Sequence, residues 1–530
     1  MEANLRSAST NTMSLQSLDF IVIFLPLALT LHILLNKTGH VLLAQAWLIG
    51  ASLLFAGLRT LSDVELLLLS IALNFCIGWV LHRRASATDP SRKALLAAGV
   101  VTNLAVLGYF KYSAFFLDNI GAVMQSAVPS ATDYLPLGIS FLTFQQIAYL
   151  VDVYRGQVKT FNFMQYCVFC SFFPKLLAGP IVRHGEFVPQ IAGLRRSCSP
   201  GSMAEGITQF AIGLFKKIVL ADTLAGYADP IFAAGSLGRE LGLVEAWGGV
   251  LAYSFQLYFD FSGYTDMALG TARMFGMTLP QNFNSPYKAT DIIDFWKRWH
   301  ITLSRFLRDY LYIPLGGNKK GLLRQQLNVM VTMVLCGLWH GAGWTFVIWG
   351  ALHGLYLMIN HGWRRLGVHC PQPFGWLLTF GSVSFAWVWF RSDSLSAAAR
   401  ISASLFGLNG LWAEGIRSAL HNLEKAAPRF QSFAEFFLPE QTRIALSFDK
   451  WTIYPVTVLC SEPVLQMFWL IAAGVIALRL PNTFEWTDAA THRPETLFAP
   501  RRALFVGVLL FLTLLASMTS HPGGFIYQNF

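Results

Sequence analysis

Six apolar runs dominate this chain: Phe20 to Leu35, Ala44 to Leu54, Leu66 to Leu81, Leu95 to Phe110, Leu327 to Leu338 and Ala503 to Leu515. Runs of this length are stable in water only if buried, and in a bilayer they cross as helices, because lipid offers no partner for a bare backbone N–H or C=O. Charged residues make up only 13% of the chain, about half the share in a soluble domain, so a water-solvated globule is excluded. The expected fold class is an all-α polytopic membrane protein in which residues 1–530 form a single membrane domain. The flank of the first run carries only Glu2, Arg6 and Asp19, and no small-residue cleavage site follows it. We therefore read it as a retained span rather than a signal peptide, with Met13 as an alternative start.

The net charge of +10 does not point to nucleic acid, because the basic residues fall in short loops between apolar runs. That pattern is the positive-inside bias of membrane proteins. It places His82 to Lys93, Arg155 to Lys159, Arg183 to Arg196, Lys288 to Arg324, Arg364 to Arg365 and Arg493 to Arg502 in the cytosol, with ten to twelve spans between them. The region 288–325 is then a cytosolic amphipathic region. The N-terminal segment 1–18, the stretch 411–461 and the tail 520–530 are expected outside. Two segments do not read as simple spans: Phe161 to Pro180, with Pro174, Lys175 and Gly179, and Gly206 to Tyr227, with Lys216 and Lys217 at its middle. Both are expected to be re-entrant or interfacial, lining an internal funnel. The seven cysteines have no disulfide-scaffold spacing, and Cys167 and Cys170 are expected to be small buried hydrophobes.

Three stretches carry candidate chemistry. From Thr290 to Tyr312, apolar Ile292, Phe295, Trp299, Leu303, Phe306 and Tyr310 recur at helical spacing. The spacing predicts one amphipathic helix, N-capped by Thr290, with His300 on the face of Trp296, Ser304 and Arg308. Its Lys297, Arg298 and Arg305 either meet lipid phosphates or form a cationic floor for an anionic donor. From Gly337 to Gly354, His340 sits between glycines at the turn joining two apolar runs, flanked by Trp339 and Trp344, with His353 one span further on. An ionisable residue inside a membrane is costly and marks a functional site by default. Imidazole can take a proton from a hydroxyl that attacks an acyl carbonyl. Such chemistry needs no metal, and neither H-E-x-x-H nor G-x-x-x-x-G-K occurs. From Tyr258 to Gly270, Asp260 and Asp266 lie inside an apolar span, followed by Asn282. Candidate partners for these carboxylates are Lys297, Arg298 and the two histidines.

At these residues the chain resembles the membrane-bound O-acyltransferase family, in particular its bacterial branch that acetylates exopolysaccharides such as alginate and cellulose. The stretches that carry the resemblance are Leu135 to Gly156, Phe172 to Arg183, Asp260 to Gly270, Asn282 to Asn318 and Gly337 to Trp344. It implies a helical ring around a tunnel open to both membrane faces, with His340 as the essential catalytic residue. It also implies a second histidine, His300, near the cytosolic mouth, where Thr302 replaces the usual serine. Lys297, Arg298 and Arg305 become donor-binding candidates, and Asp260, Asn282, Trp296, Trp339 and His353 tunnel or supporting residues. The tail ends F-x-Y-x-x-F, similar to partner peptides of D-alanyl transfer systems, which makes Tyr527 an acyl-relay candidate.

The resemblance implies acetyl-CoA as donor substrate, or an acyl carrier protein, with no bound cofactor or metal. It further implies a separate periplasmic acetyltransferase and polysaccharide synthesis machinery as partners, and location in the bacterial inner membrane. The competing reading is a proton-coupled transporter, or a polymer-export or scaffold component, in which the same histidines and aspartates relay protons.

Overall fold

A computed structural model describes residues 13–84, 90–125, 134–192, 199–411, 462–491, 499–519 and 526. Every regular element among them is a helix. Five helices are long and apolar enough to cross a membrane: Phe20–Lys37, Leu61–Arg83, Pro90–Met124, Gln372–Arg391 and Pro500–Met518. Val41–Gly57 and Leu465–Leu478 are shorter apolar helices. The outer faces of these helices show leucines such as Leu43, Leu69 and Leu377 to the surroundings, as lipid-facing helices do. The interior is built differently. Helix Leu243–Met274 has 32 residues, nearly all buried beyond Val250, and carries Asp260, Asp266 and Thr271. It is about 48 Å long, more than a bilayer core requires, but its polar side chains lower its hydropathy because its neighbours are protein. The sequence-derived count of ten to twelve spans exceeds the five helices that qualify by length and apolarity among the described residues. The outer segment 411–461, apart from Leu411, lies outside the described residues.

Glycines set a close crossing in the interior. Gly206 and Gly213 on helix Pro200–Phe215 face Gly270 and Gly263 on Leu243–Met274. A Cβ on Gly213 would lie 2.6 Å from the Gly263 carbonyl oxygen, and one on Gly270 2.5 Å from that of Gly206. Only hydrogen fits at such a backbone contact.

The approach brings a π-helical turn, Lys216–Ala221, against the middle of the long helix. Lys217 Nζ lies 2.8 Å from Asp260 and 2.6 Å from Asp222, and Lys216 Nζ lies 2.7 Å from Asp266 and 2.7 Å from Thr483 Oγ1. Of the two expectations for Gly206 to Tyr227, re-entrant or interfacial, the re-entrant one is corrected: the chain is helical without a break from Pro200 to Ser236. Buried aspartates neutralise the lysines that suggested otherwise. Phe161 to Pro180 is irregular as expected, with helix Phe163–Ser171 broken at Phe172 and one further turn, Phe173–Leu176. Cys167 and Cys170 are buried free thiols within it.

The predicted single helix from Thr290 to Tyr312 is also corrected. Asp291, not Thr290, caps it, accepting from the Ile293 and Asp294 amides at 2.9 Å each. The helix Ile292–Arg298 then stops, and Ile301–Leu307 starts anew after His300. The cause is a neighbouring segment: Asn284 N–H donates to the Arg298 carbonyl and Ile301 N–H to the Asn282 carbonyl, both at 2.9 Å. These bonds divert groups that would otherwise serve the helix ladder.

Candidate active site

His340 is the last residue of helix Leu322–His340, and Gly341 to Gly343 turn the chain into helix Trp344–Arg365. The two helices touch through glycine. A Cβ on Gly337 would lie 2.1 Å from the Phe346 carbonyl oxygen, and one on Gly350 2.3 Å from that of Met333. The close contact holds His340, 1% exposed, among aromatic rings. Trp339, Trp349 and Phe390 lie 4.9, 5.1 and 5.3 Å from it, centroid to centroid.

The end of this helix is closed from another element. The final four carbonyls of an α-helix have no partner within it. Here Gly341 N–H donates to Gly337 O at 3.3 Å and Tyr112 Oη to Leu338 O at 2.7 Å. Lys111 Nζ donates to Trp339 O at 2.5 Å and to His340 O at 3.3 Å.

His300 occupies the break between the two short helices with φ +42° and ψ +55°, a left-handed conformation rare outside glycine. It is held by Asn282, whose Oδ1 accepts from Thr302 N–H at 3.2 Å and from Thr302 Oγ1 at 2.9 Å, and lies 3.0 Å from His300 Nδ1. A carbonyl oxygen can only accept, so Nδ1 carries the imidazole proton and Nε2 presents a lone pair. Nε2 is buried with no hydrogen-bond partner among the described residues. Thr302 Oγ1 in turn accepts from Ile181 N–H at 3.0 Å, so the hydroxyl that threonine shares with serine is the part the site uses.

The two imidazole centroids are 6.5 Å apart. The two histidines, on separate sequence motifs, thus share one interior site. The break at His300 turns it into the protein interior, and helix Leu322–His340 carries the chain back to meet it.

A cavity of about 550 Å³ opens on the segment that carries His300, lined by Trp296, Lys297, Ser304, Arg305, Arg308, Met333 and His361 among others. Met333 lies two turns before His340, about 10 Å along the helix. Trp296 is 6.1 Å from Trp349, which is the ring against His340. Arg305 is ion-paired with Glu186. Arg308 lies 2.7 Å from Asp309, which also pairs with Arg183. Burial acts to raise the Asp309 carboxyl, but hydrogen bonds from Arg308 and Arg183 outweigh it and hold the group below its ordinary range.

The predicted residues therefore divide. His340, His300, Asn282, Trp296 and Trp339 converge, and His353 shares Trp349 with His340, at 4.7 Å from that ring. Lys297 and Arg305 line the cavity, whereas Arg298 turns to Asp294 at 2.9 Å and to the Asn284 carbonyl at 3.3 Å. Asp260 is bound neither to Lys297 and Arg298 nor to the histidines. It holds Lys217 and accepts from Ile526 N–H at 3.0 Å. Tyr527 lies outside the described residues. The sequence reading missed Trp349, which lies inside the stretch Gly337 to Gly354 that it singled out, and Lys111, where a lone cation follows the apolar run ending at Phe110.

Comparison with known proteins identifies the family. Residues 97–390 match the model of the membrane-bound O-acyltransferase family. The chain is 40% identical over 444 residues to a peptidoglycan O-acetyltransferase of Helicobacter pylori, covering 78% of this chain and 82% of that one. It is 41% identical over 404 residues to the Pseudomonas aeruginosa protein named "Probable alginate O-acetylase AlgI", covering 74% of each. A teichoic acid D-alanyltransferase of Streptococcus thermophilus is 30% identical over 238 residues, covering 43% of this chain and 57% of that one. The chain belongs to the membrane-bound O-acyltransferase family and is an O-acyltransferase.

Proposed function

We propose that this acyltransferase passes an acetyl group from cytosolic acetyl-CoA across the bacterial inner membrane for O-acetylation of a cell-surface polysaccharide, with His340 as general base. The observation that carries the reading is a basic-lined cavity on the segment that carries His300, whose ring stands 6.5 Å from that of His340. The cavity has an apolar interior with Lys297, Arg305, Arg308 and His361 in its lining, and Trp296 in its wall packs on Trp349, the ring against His340. A donor with an anionic nucleotide end and an apolar acyl-bearing arm suits that lining: cations hold the phosphates and the arm lies against the apolar wall.

In the reaction the acceptor oxygen attacks the thioester carbonyl. The C–O bond forms and the C–S bond breaks, while the hydroxyl proton passes to His340 and then to the departing thiolate, giving free thiol and an ester. His300, its ring centroid 6.5 Å from that of His340, packs beside the base and shapes the place where the acceptor hydroxyl is held. Ile526 N–H donates to the buried carboxylate of Asp260, and on that support we assign Tyr527, the next residue, as the hydroxyl that carries the acetyl group onward. A separate extracytoplasmic acetyltransferase would then complete transfer to the polymer. The names of the relatives, peptidoglycan, alginate and teichoic acid, favour a surface polymer as final acceptor.

The test is acetyl transfer by the purified, lipid-reconstituted protein supplied with radiolabelled acetyl-CoA. Ser304→Trp, which fills the cavity, should raise the KM for acetyl-CoA at least about tenfold, whereas His340→Ala should abolish transfer at unchanged donor binding. An unchanged KM in Ser304→Trp would place the donor elsewhere. Transfer from an acetylated carrier protein but not from acetyl-CoA would replace the donor assigned here.

A further inference from the structure

We propose that Lys111 is a positioning residue for the acyl transfer: its ammonium clamps the end of helix Leu322–His340 and so fixes where the His340 imidazole stands. The inference rests on the reading of His340 as the general base. Lys111 lies inside the long apolar helix Pro90–Met124, where a cation is expensive. Among the described residues no carboxylate lies within ion-pair distance of it. Its ammonium has three N–H donors, and the structure gives it three acceptors: Trp339 O at 2.5 Å, His340 O at 3.3 Å and Ser140 Oγ at 3.2 Å. The counter-charge is thus the negative end of a helix whose last residue is His340.

Local structure explains how one helix reaches so many consecutive carbonyls. The segment Gly108–Tyr112 is a π-helical turn, and such turns change which residues face a neighbour. Here adjacent residues, Lys111 and Tyr112, both reach the same helix end, and Tyr112 Oη takes Leu338 O at 2.7 Å. With Gly341 N–H on Gly337 O, each of the four terminal carbonyls has a donor. Ser140 ties the clamp to a third helix, Ile139–Tyr154, which also meets the site where Phe144 stacks on Trp339, centroids 5.1 Å apart. A glycine cap or water would satisfy the same carbonyls at lower cost. What the lysine adds is a fixed position for the last turn, and catalysis responds steeply to such position, about 100-fold for a misplacement of about 1 Å.

The experiment measures kcat per folded protein and the donor KM in Lys111→Met, Ser140→Ala, Tyr112→Phe and His340→Ala, each reconstituted with lipid and checked for unfolding midpoint. Lys111→Met should lower kcat about 10- to 100-fold with the donor KM within about twofold of wild type. Ser140→Ala, which frees one of the three donors, should lower kcat a few-fold and decides the matter if Lys111→Met does not fold. The proposal fails if kcat per folded protein is unchanged in Lys111→Met, or in Ser140→Ala where only that variant folds. It fails also if the loss appears wholly in donor KM. If His340→Ala keeps wild-type kcat, the general-base reading fails first. If His340→Ala is inactive and Lys111→Met is normal, only the clamp is refuted.

Discussion

Replacing Asn282 with alanine removes one oxygen that serves three groups. Asn282 is fully buried, and its Oδ1 meets Thr302 N–H, Thr302 Oγ1 and His300 Nδ1. The Thr302 hydroxyl can rotate to another acceptor, but the amide and the imidazole N–H cannot. Each buried donor left without a partner costs about 1–3 kcal/mol, so the expected loss is about 2–6 kcal/mol. His300 also sits in a left-handed backbone conformation, which costs about 1–3 kcal/mol and persists only while its surroundings enforce it. Part of that strain is released when the segment relaxes, which lowers the stability loss but frees the ring. Asn282→Ala should therefore show a lower denaturation midpoint in detergent, and surviving folded protein should transfer acetyl at least about tenfold more slowly. Thr302 supplies the control. Thr302→Ser keeps the hydroxyl and should behave as wild type, whereas Thr302→Val orphans the Ile181 amide and should lose about 1–3 kcal/mol. An Asn282→Ala protein with wild-type midpoint and wild-type rate would refute the claim that this oxygen organises His300.

Two further predictions concern the frame around the site. Lys217→Met leaves Asp260 and Asp222 without their shared cation, and breaking a buried pair from one side should cost about 3–5 kcal/mol. The double variant Lys217→Met with Asp260→Leu should recover part of the loss in an unfolding titration, and no recovery would contradict the pairing. Gly213→Leu forces apart two helices whose backbones are in contact, and the variant should accumulate at reduced levels in membranes, while Gly226→Leu, with open space around it, should not.

Much of the architecture was legible from residue pattern alone. Long apolar runs define the lipid-facing helices because a bilayer leaves so few ways to satisfy a backbone, and His340 stands out because a histidine between glycines at the end of such a run has no cheap explanation. What was hidden depended on contacts between distant segments. The break at His300 is caused by Asn282 and Asn284, which donate and accept across more than a dozen residues, so local periodicity reads straight through it. The partners of Asp260 could not be found by nearness in sequence to other motifs, because the glycine contacts that bring Lys217 to it join two separate helices. Lys111 was passed over for a related reason: the carbonyls it serves belong to the far end of a helix more than two hundred positions away.

The central claim is that His340 performs the acyl transfer, and the most direct measurement is polysaccharide-bound acetate in cells producing wild type, His340→Ala, His300→Ala and Tyr527→Phe at matched membrane abundance. The account predicts loss of acetate in His340→Ala and His300→Ala, and in Tyr527→Phe if the tail carries the group onward. Normal acetylation by His340→Ala at wild-type abundance would contradict it.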